Sequence, residues 1–380
     1  MYQSRSRLVI AAAVLVLTAA CGQAGSAGTT GSGDADVTAA RDLATKLENP
    51  LSGYPLPTAE LTRTASLRGK TVYYVPVTQQ APQFTVTANA LKDALTAAGL
   101  TLQVCNGGSN PSQISACVSQ ATAANAGAVI TDSIPYALAA NALNAARAKG
   151  IPVLVTDQIP DPAHPADATL GYVQGAGGDM LRAVADWIIA DSGGTAKVLI
   201  NQSTDSPSTV SYVEQAKQEF SGKCPGCTVV VNPISSANYS LIASSTSSAV
   251  LRNPGVNYVV SEFDQYLQPT LQGVQQSGRM SSIKGVSTAA QLSGLQMLAA
   301  KNFLHVDAGQ GSAYQGWVSA DAALRLMLKE PLPTYTIPLR LFTRDNVGSV
   351  EVTAAAEASG AWFGPTDYPQ RFKTLWGVAA

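Results

Sequence analysis

Charge is scarce in this chain. Asp, Glu, Lys and Arg supply 13% of its 380 residues, where an ordinary soluble domain carries about 25%. The 24 basic and 25 acidic side chains nearly cancel, so no basic stripe marks a nucleic-acid interface and expansion by like-charge repulsion is excluded. Histidine is scarcer still: His164 and His305 are the only two, and no Cys/His group has zinc-ligand spacing. No metal site and no cofactor are expected. Aromatic residues make up 6%. Enzyme signatures are missing too. No Gly-x-Ser-x-Gly elbow follows a strand, and Gly175-Ala176-Gly177-Gly178 lacks the spacing of a dinucleotide fingerprint or phosphate loop. No catalytic residue is assigned. What the chain does have is 46% hydrophobic residues and enough length for two or three domains at roughly 150 residues each.

The N-terminus is the first informative segment. Arg5 and Arg7 precede an apolar run from Leu8 to Ala20, too short for a bilayer span of about 20 residues but matching the charged and apolar regions of a secretory signal. The run ends Leu17-Thr18-Ala19-Ala20-Cys21-Gly22, which resembles a bacterial lipobox, whose cysteine is lipidated and becomes the mature N-terminus. The alternative is an ordinary signal peptide with a chance cysteine. From Gln23 to Asp36 there is no apolar periodicity, and a flexible leash is expected. Removing residues 1–20 takes two arginines and moves the side-chain balance from −1 to −3. No later apolar run is long enough to span a membrane. The expected mature protein is extracytoplasmic, anchored by lipid at Cys21.

Four further cysteines, Cys105, Cys117, Cys224 and Cys227, form an even set in an oxidising compartment. Proximity favours Cys105 with Cys117 and Cys224 with Cys227. The Cys224-Pro225-Gly226-Cys227 spacing also fits a thiol-redox motif, but such pairs open a helix, where the dipole lowers the thiol pKa. This one follows a helical stretch and precedes a strand, as a turn staple would.

From Arg68 onward, strand-like runs alternate with helical ones. Strands are read at 71–77, 100–105, 128–132 and 151–156, with helices at 84–98, 111–124 and 135–149. The pattern then restarts, with strands at 169–173, 196–200, 228–231, 256–261 and 283–286 and helices at 177–191, 210–220, 240–251 and 264–277. This is the signature of βαβ units, and two consecutive series make two α/β lobes with parallel sheets. Ligands of open parallel sheets bind beyond the carboxyl ends of the strands. The loops selected are 78–84, 132–136, 157–162, 202–209, 262–264 and 287–291, polar and poor in ionic groups.

Val75-Pro76-Val77-Thr78-Gln79-Gln80-Ala81-Pro82-Gln83-Phe84, Ala128-Val129-Ile130-Thr131-Asp132, Gly150-Ile151-Pro152-Val153-Leu154-Val155-Thr156-Asp157 and the span from Asp264 to Gly278 occur in an order and spacing that resembles the type I periplasmic binding proteins of the ribose- and galactose-binding subgroup, over about residues 68–345. The resemblance implies two Rossmann-like lobes, a hinge crossed three times, near Tyr172, Asp307 and Thr336, a sugar-like ligand in the interlobe cleft and an ABC permease as partner. It also implies ligand contacts from Gln79, Gln80, Gln83, Phe84, Asp132, Asp157, Gln158, Phe263, Asp264, Ser287 and Asp307. Several depart from the family pattern. Of two stacking aromatics only Phe84 is present, beside Gln83. Gln158 stands where an Arg often follows the Asp; a second Arg is absent from helix 211–220, with Ala216 in its place; Phe263 replaces an Asn, Ser287 an Asp and Asp307 a Gln. Without guanidinium forks the expected ligand is a neutral polar solute rather than an anion. Related repressors carry an N-terminal DNA-binding element where this chain has its export signal, so no nucleic-acid partner is expected.

The organisation read from the sequence is a signal at 1–20, a lipidated Cys and leash with a short helix at 21–67, lobe 1 at 68–172 plus 308–336, lobe 2 at 173–307 plus 337–345, and a C-terminal extension at 346–380. The extension is expected to pack on a lobe through its aromatics, and the protein is expected to be a monomer. Two rival functions are a receptor of the same fold that signals to a membrane kinase or chemoreceptor, and a thiol oxidoreductase using Cys224 and Cys227.

Overall fold

The structure, a computed structural model, describes residues 32–378. The signal segment, Cys21 and the first part of the expected leash lie outside the described residues. Helix α1 spans Ser32–Glu48; it is the short helix expected within residues 21–67, and it takes in the end of the 23–36 stretch expected to be a leash. Val37, Ala40, Ala44 and Leu47 form one apolar stripe that packs into a lobe, and Asp34 in the first turn suits the positive end of the helix.

Two sheets follow. The first contains β1 (Thr71–Pro76), β2 (Thr101–Val104), β3 (Ala128–Asp132), β4 (Val153–Thr156) and β5 (Leu170–Val173) in the order β2-β1-β3-β4-β5, all parallel. Helices α2 (Pro82–Ala97), α3 (Pro111–Ala123) and α4 (Ala140–Ala148) connect its first four strands. The second begins after α5 (Gly177–Asp191) and contains β6 (Lys197–Ser203), β7 (Thr228–Ile234), β8 (Tyr258–Ser261), β9 (Lys284–Thr288), β10 (Leu304–Gln310) and β11 (Leu339–Thr343) in the order β11-β10-β9-β8-β6-β7. Its helices are α6 (Pro207–Lys223), α7 (Ile242–Arg252), α8 (Leu267–Gln276) and α9 (Leu292–Ala299). Interior strands such as β3, β4 and β8 are buried along their whole length, as parallel strands covered on both faces must be. The expectation of parallel sheets holds except at β11, which runs antiparallel to β10.

The chain passes from the first sheet to the second after β5. It returns after β10, when α10 (Ser312–Leu328) packs on α2, and crosses again before β11. Gly316 permits the close α2/α10 crossing, because a Cβ there would meet Leu91 N and Thr87 O at 2.7 Å.

The rest of the described chain is not loose. After α1, which lies on α5, Tyr54, Leu61 and Leu67 are buried. The expectation of a leash up to residue 67 is corrected accordingly: apolar side chains at those positions find a surface on α10. The C-terminal segment forms α11 (Ala354–Ser359) and α12 (Tyr368–Leu375). Trp376 stacks on Trp317 of α10 at 5.6 Å between ring centroids, and Tyr54 stacks on Tyr314 at 4.6 Å. The Cys105/Cys117 and Cys224/Cys227 sulfurs lie 2.02 and 1.99 Å apart. Cys224 follows the last residue of α6 and is buried, the wrong helix end for an activated thiol. Among the described residues no helix is long and apolar enough to cross a membrane, and no group of three or more His, Cys, Asp or Glu side chains could hold a metal.

Candidate functional site

The carboxyl ends of both sheets face one interlobe cavity of about 720 Å³, inside the usual size range of small-molecule sites. Lobe 1 contributes Gln80 from the loop before α2, Gln83 and Phe84 from its start, Ser133 after β3, and Asp157 and Gln158 after β4. Lobe 2 contributes Ser203 at the end of β6, Asp205 after it, Tyr212 from α6, Tyr239 after β7, Phe263, Asp264 and Tyr266 after β8, and Gln291 before α9. Gln310 lies at the hinge end. Among the described residues, no Lys, Arg or His lines the cavity.

Proline at the first residue of α2 needs no N–H partner there, and the helix start delivers Gln83 to the cleft. The Gln291 side-chain amide of lobe 2 donates to Gln83 Oε1, joining the lobes across the site. Asp157 takes a left-handed backbone, φ 55°. Its Oδ1 accepts from Gln310 Nε2 at 3.2 Å, and Gln310 Oε1 accepts from Ala176 N at 2.6 Å. One carboxylate therefore touches two of the interlobe crossings. A Cβ at Gly175 would sit 1.8 Å from Asp157 Oδ1, so a larger residue there would push the carboxylate from its place. Gln158 accepts from Ser208 Oγ at 2.8 Å while its own amide donates to Asp157 O at 2.9 Å. Its polar atoms bridge the lobes near the hinge.

Electrostatically the two walls differ. Burial opposes ionisation of Asp205, but hydrogen bonds from Ser235 Oγ (2.7 Å), Tyr266 Oη (2.8 Å) and Ser236 N (3.1 Å to Oδ2) outweigh it and hold the carboxyl below its ordinary range. Asp205 is a fixed anion of the lobe 2 wall. Behind the walls, burial and then the charge of Asp157 push Asp132 well above the ordinary range, and burial does the same to Glu262 and Asp307. Burial raises Asp264 to about 6, against hydrogen bonds from Ser287 and Gln291.

Gln80, Gln83, Phe84, Asp157, Gln158, Phe263 and Asp264 line the cavity; Gln79, Asp132, Ser287 and Asp307 do not. Gln79 is exposed outside it. Asp132 is fully buried and receives the Tyr74 hydroxyl at 2.5 Å, while the next residue, Ser133, reaches the cleft. Ser287 donates to Asp264 Oδ1 at 2.6 Å, and Asp307 accepts from Ala290 N at 3.0 Å, both inside lobe 2. Asp264 makes no side-chain cap to its own helix; its Oδ2 instead accepts from Gln291 N at 2.7 Å, ahead of α9. Sequence reasoning missed Asp205, Tyr212, Tyr239, Tyr266, Gln291 and Gln310. Asp205 and Gln291 fall in selected loops. The loop after β7, which carries Tyr239, was not selected, although its position beyond a strand end was the signal.

Two α/β lobes, chain crossings at their junction and a polar cleft at the strand ends define a two-lobed solute-binding protein of the type I architecture. The periplasmic binding protein domain family matches residues 72–331, and the chain belongs to that family. No curated protein sequence matches it. Among solved structures it is similar to the 5-methylthioribose transporter solute binding protein of Thermotoga lettingae TMO, at 18% identity and TM-score 0.68 over 80% of this chain and 98% of that one. It is also similar to an Agrobacterium vitis ABC transporter solute binding protein bound with alpha-D-tagatopyranose, at 20% identity and TM-score 0.67 over 78% and 99%. A third is an Actinobacillus succinogenes 130z periplasmic solute binding protein with bound D-allose, at 15% identity and TM-score 0.65 over 74% and 100%. At these identities the likeness is one of fold.

Proposed function

We propose that this protein is a lipid-anchored extracytoplasmic receptor that captures a neutral polyhydroxylated solute, a sugar or close relative, between its lobes and delivers it to an ABC permease. The observation that carries this reading is the cleft itself: amide, hydroxyl, carboxylate and aromatic groups wall it, with no basic side chain. Hydroxyl groups of a polyol can donate to Asp157, Asp264 and the glutamine amides, and aromatic faces suit the apolar side of a sugar ring. A fixed Asp205 carboxylate without a cation nearby repels sugar phosphates and uronic acids.

Thermal-shift screening followed by isothermal titration tests this. The panel comprises 5-methylthioribose, D-allose, D-tagatose, allitol and myo-inositol, with a sugar phosphate and a uronate as negative arms. At least one neutral compound should bind and raise Tm, and Gln83→Ala or Asp157→Asn should weaken it about tenfold or more, as the loss of one charge-assisted or well-placed hydrogen bond does. Binding confined to the anionic arms, or no binding across a broader polyol panel, would reject the reading. For the anchor, Cys21→Ser should release the protein from the membrane fraction of the producing cell; retention there would contradict lipidation at Cys21. Light scattering should find a monomer.

A further inference from the structure

The family match ends at residue 331, yet the chain beyond it reaches the back of the cleft. After β11 in lobe 2, the C-terminal segment crosses to lobe 1, where α11 packs on α2 and α10. From α11, the Glu357 side chain reaches back to lobe 2: its Oε1 accepts from Leu292 N at 3.0 Å. Leu292 is the first residue of α9, and Gln291 immediately before it makes the interlobe bond to Gln83. Glu357, Trp362 and Phe363 share one small crevice with Gln83, Gln291 and Gln310. The backbone that presents Gln291 is thus held from both sides, by Asp264 on Gln291 N within lobe 2 and by Glu357 on Leu292 N from a helix seated on lobe 1.

We propose that the C-terminal segment is a clasp across the cleft and that Glu357 is its positioning residue, fixing the start of α9 relative to α2 and so limiting how far the lobes separate. The hinge of this protein is then set by more than its family crossings. The clasp acts through Leu292 N–H and needs no ligand, so it stands or falls independently of which solute binds.

The test measures the interlobe distance in the ligand-free full chain by pulsed electron resonance. Nitroxides are attached through ketone-bearing unnatural residues in place of exposed Asn141 on lobe 1 and exposed Leu241 on lobe 2, leaving the cysteines untouched. Glu357→Ala should shift the distribution to longer distances and broaden it. Glu357→Gln, which keeps the acceptor oxygen, should retain the parental distribution. Leu292→Pro removes the donor, because proline is favoured at the first position of a helix and Gln291 is already extended, φ −79°, ψ 164°; it should reproduce the Glu357→Ala shift, whereas Leu292→Ala, which also loses the leucine packing but keeps the N–H, should retain the parental distribution. If Glu357→Ala does not fold, Leu292→Pro against the parent decides. A parental distribution in Leu292→Pro, or a shift in Glu357→Gln as large as in Glu357→Ala, overturns the proposal.

Discussion

Asp264 and Asp307 come together inside lobe 2 with no basic partner among the described residues, and a shared proton would reconcile them. Asp307 Oδ2 has no donor among its neighbours, and both carboxyls crowd the position a Cβ would take on Gly294, at 2.3 and 2.5 Å. A proton held on Asp307 would bridge to Asp264, in keeping with the strong upward push on Asp307 from burial and the Asp264 charge. A carboxyl raised on folding binds its proton more tightly in the native state, so its contribution to stability is complete below the unfolded-state value and is lost as pH rises through the folded one. For Asp264 that window runs from 3.8 to about 6, and Asp132, Glu262 and Asp307 extend it upward. Asp205, held low, works in the opposite direction, losing its contribution as pH falls below the ordinary carboxyl range. Thermal melts should therefore show Tm rising as pH drops from 7 to 5. Asp307→Asn, whose amide N–H replaces the shared proton, should flatten this dependence; an unchanged slope in that variant would refute the pairing. Site legibility also turned on single residues. The strand ends were readable from the sequence, but side chains alternate faces along a strand, so Asp132 points into lobe 1 while Ser133 takes the cleft, and Asp307 is internal while Gln310, three residues on, reaches it.

At the level of elements, the βα alternation was legible because the apolar runs of β1, β3, β4, β8 and β9 and the intervening helices carry their own periodicity. Helix α9 was not. Its sequence, Leu292-Ser293-Gly294-Leu295-Gln296-Met297-Leu298-Ala299, is mostly apolar, and its N-cap, Gln291, makes no side-chain cap bond. The acceptors at its N-terminus come from Asp264 and Glu357, 27 and 65 residues away, and no local rule finds them. Gly294 is the price of seating this helix on the acid pair: Gly294→Ala should destabilise by about 1–3 kcal/mol, the usual cost of overpacking, read from chemical denaturation, and a neutral result would mean the carboxyls can move aside. The Cys224 and Cys227 sulfurs lie at bonding distance between the end of α6 and the start of β7, placed for a staple. Peptide mapping without reductant should find both pairs bridged, and alkylation of Cys224 under those conditions would contradict the staple.

Across the whole molecule, the two lobes are bound by segments that lie outside the family match. Arg340 on β11, almost fully buried, donates to Glu48 O at 3.0 Å and to Trp362 O at 2.6 Å, so one guanidinium gathers the end of α1, the second sheet and the C-terminal segment. Arg340→Ala leaves those carbonyls without their donor and should cost about 2–3 kcal/mol; denaturation midpoints indistinguishable from the parent would show that water takes its place. The aromatic character of the C-terminal segment was readable as a packing signal, but its partner was not, because that partner is itself a terminal segment. Leu51 N donates to Phe363 O at 2.7 Å, Leu61 N to Leu375 O at 2.9 Å and Tyr54 Oη to Gly360 O at 3.0 Å. These contacts join an early segment of the described chain to its end, among the largest sequence separations within the described residues, and such pairings form late. During synthesis residues 54–67 can dock on α10 once it is made, but their contacts with α12 wait until residue 376 has been added. The N-terminal segment therefore acquires its full set of contacts only after the last turn of helix α12 arrives.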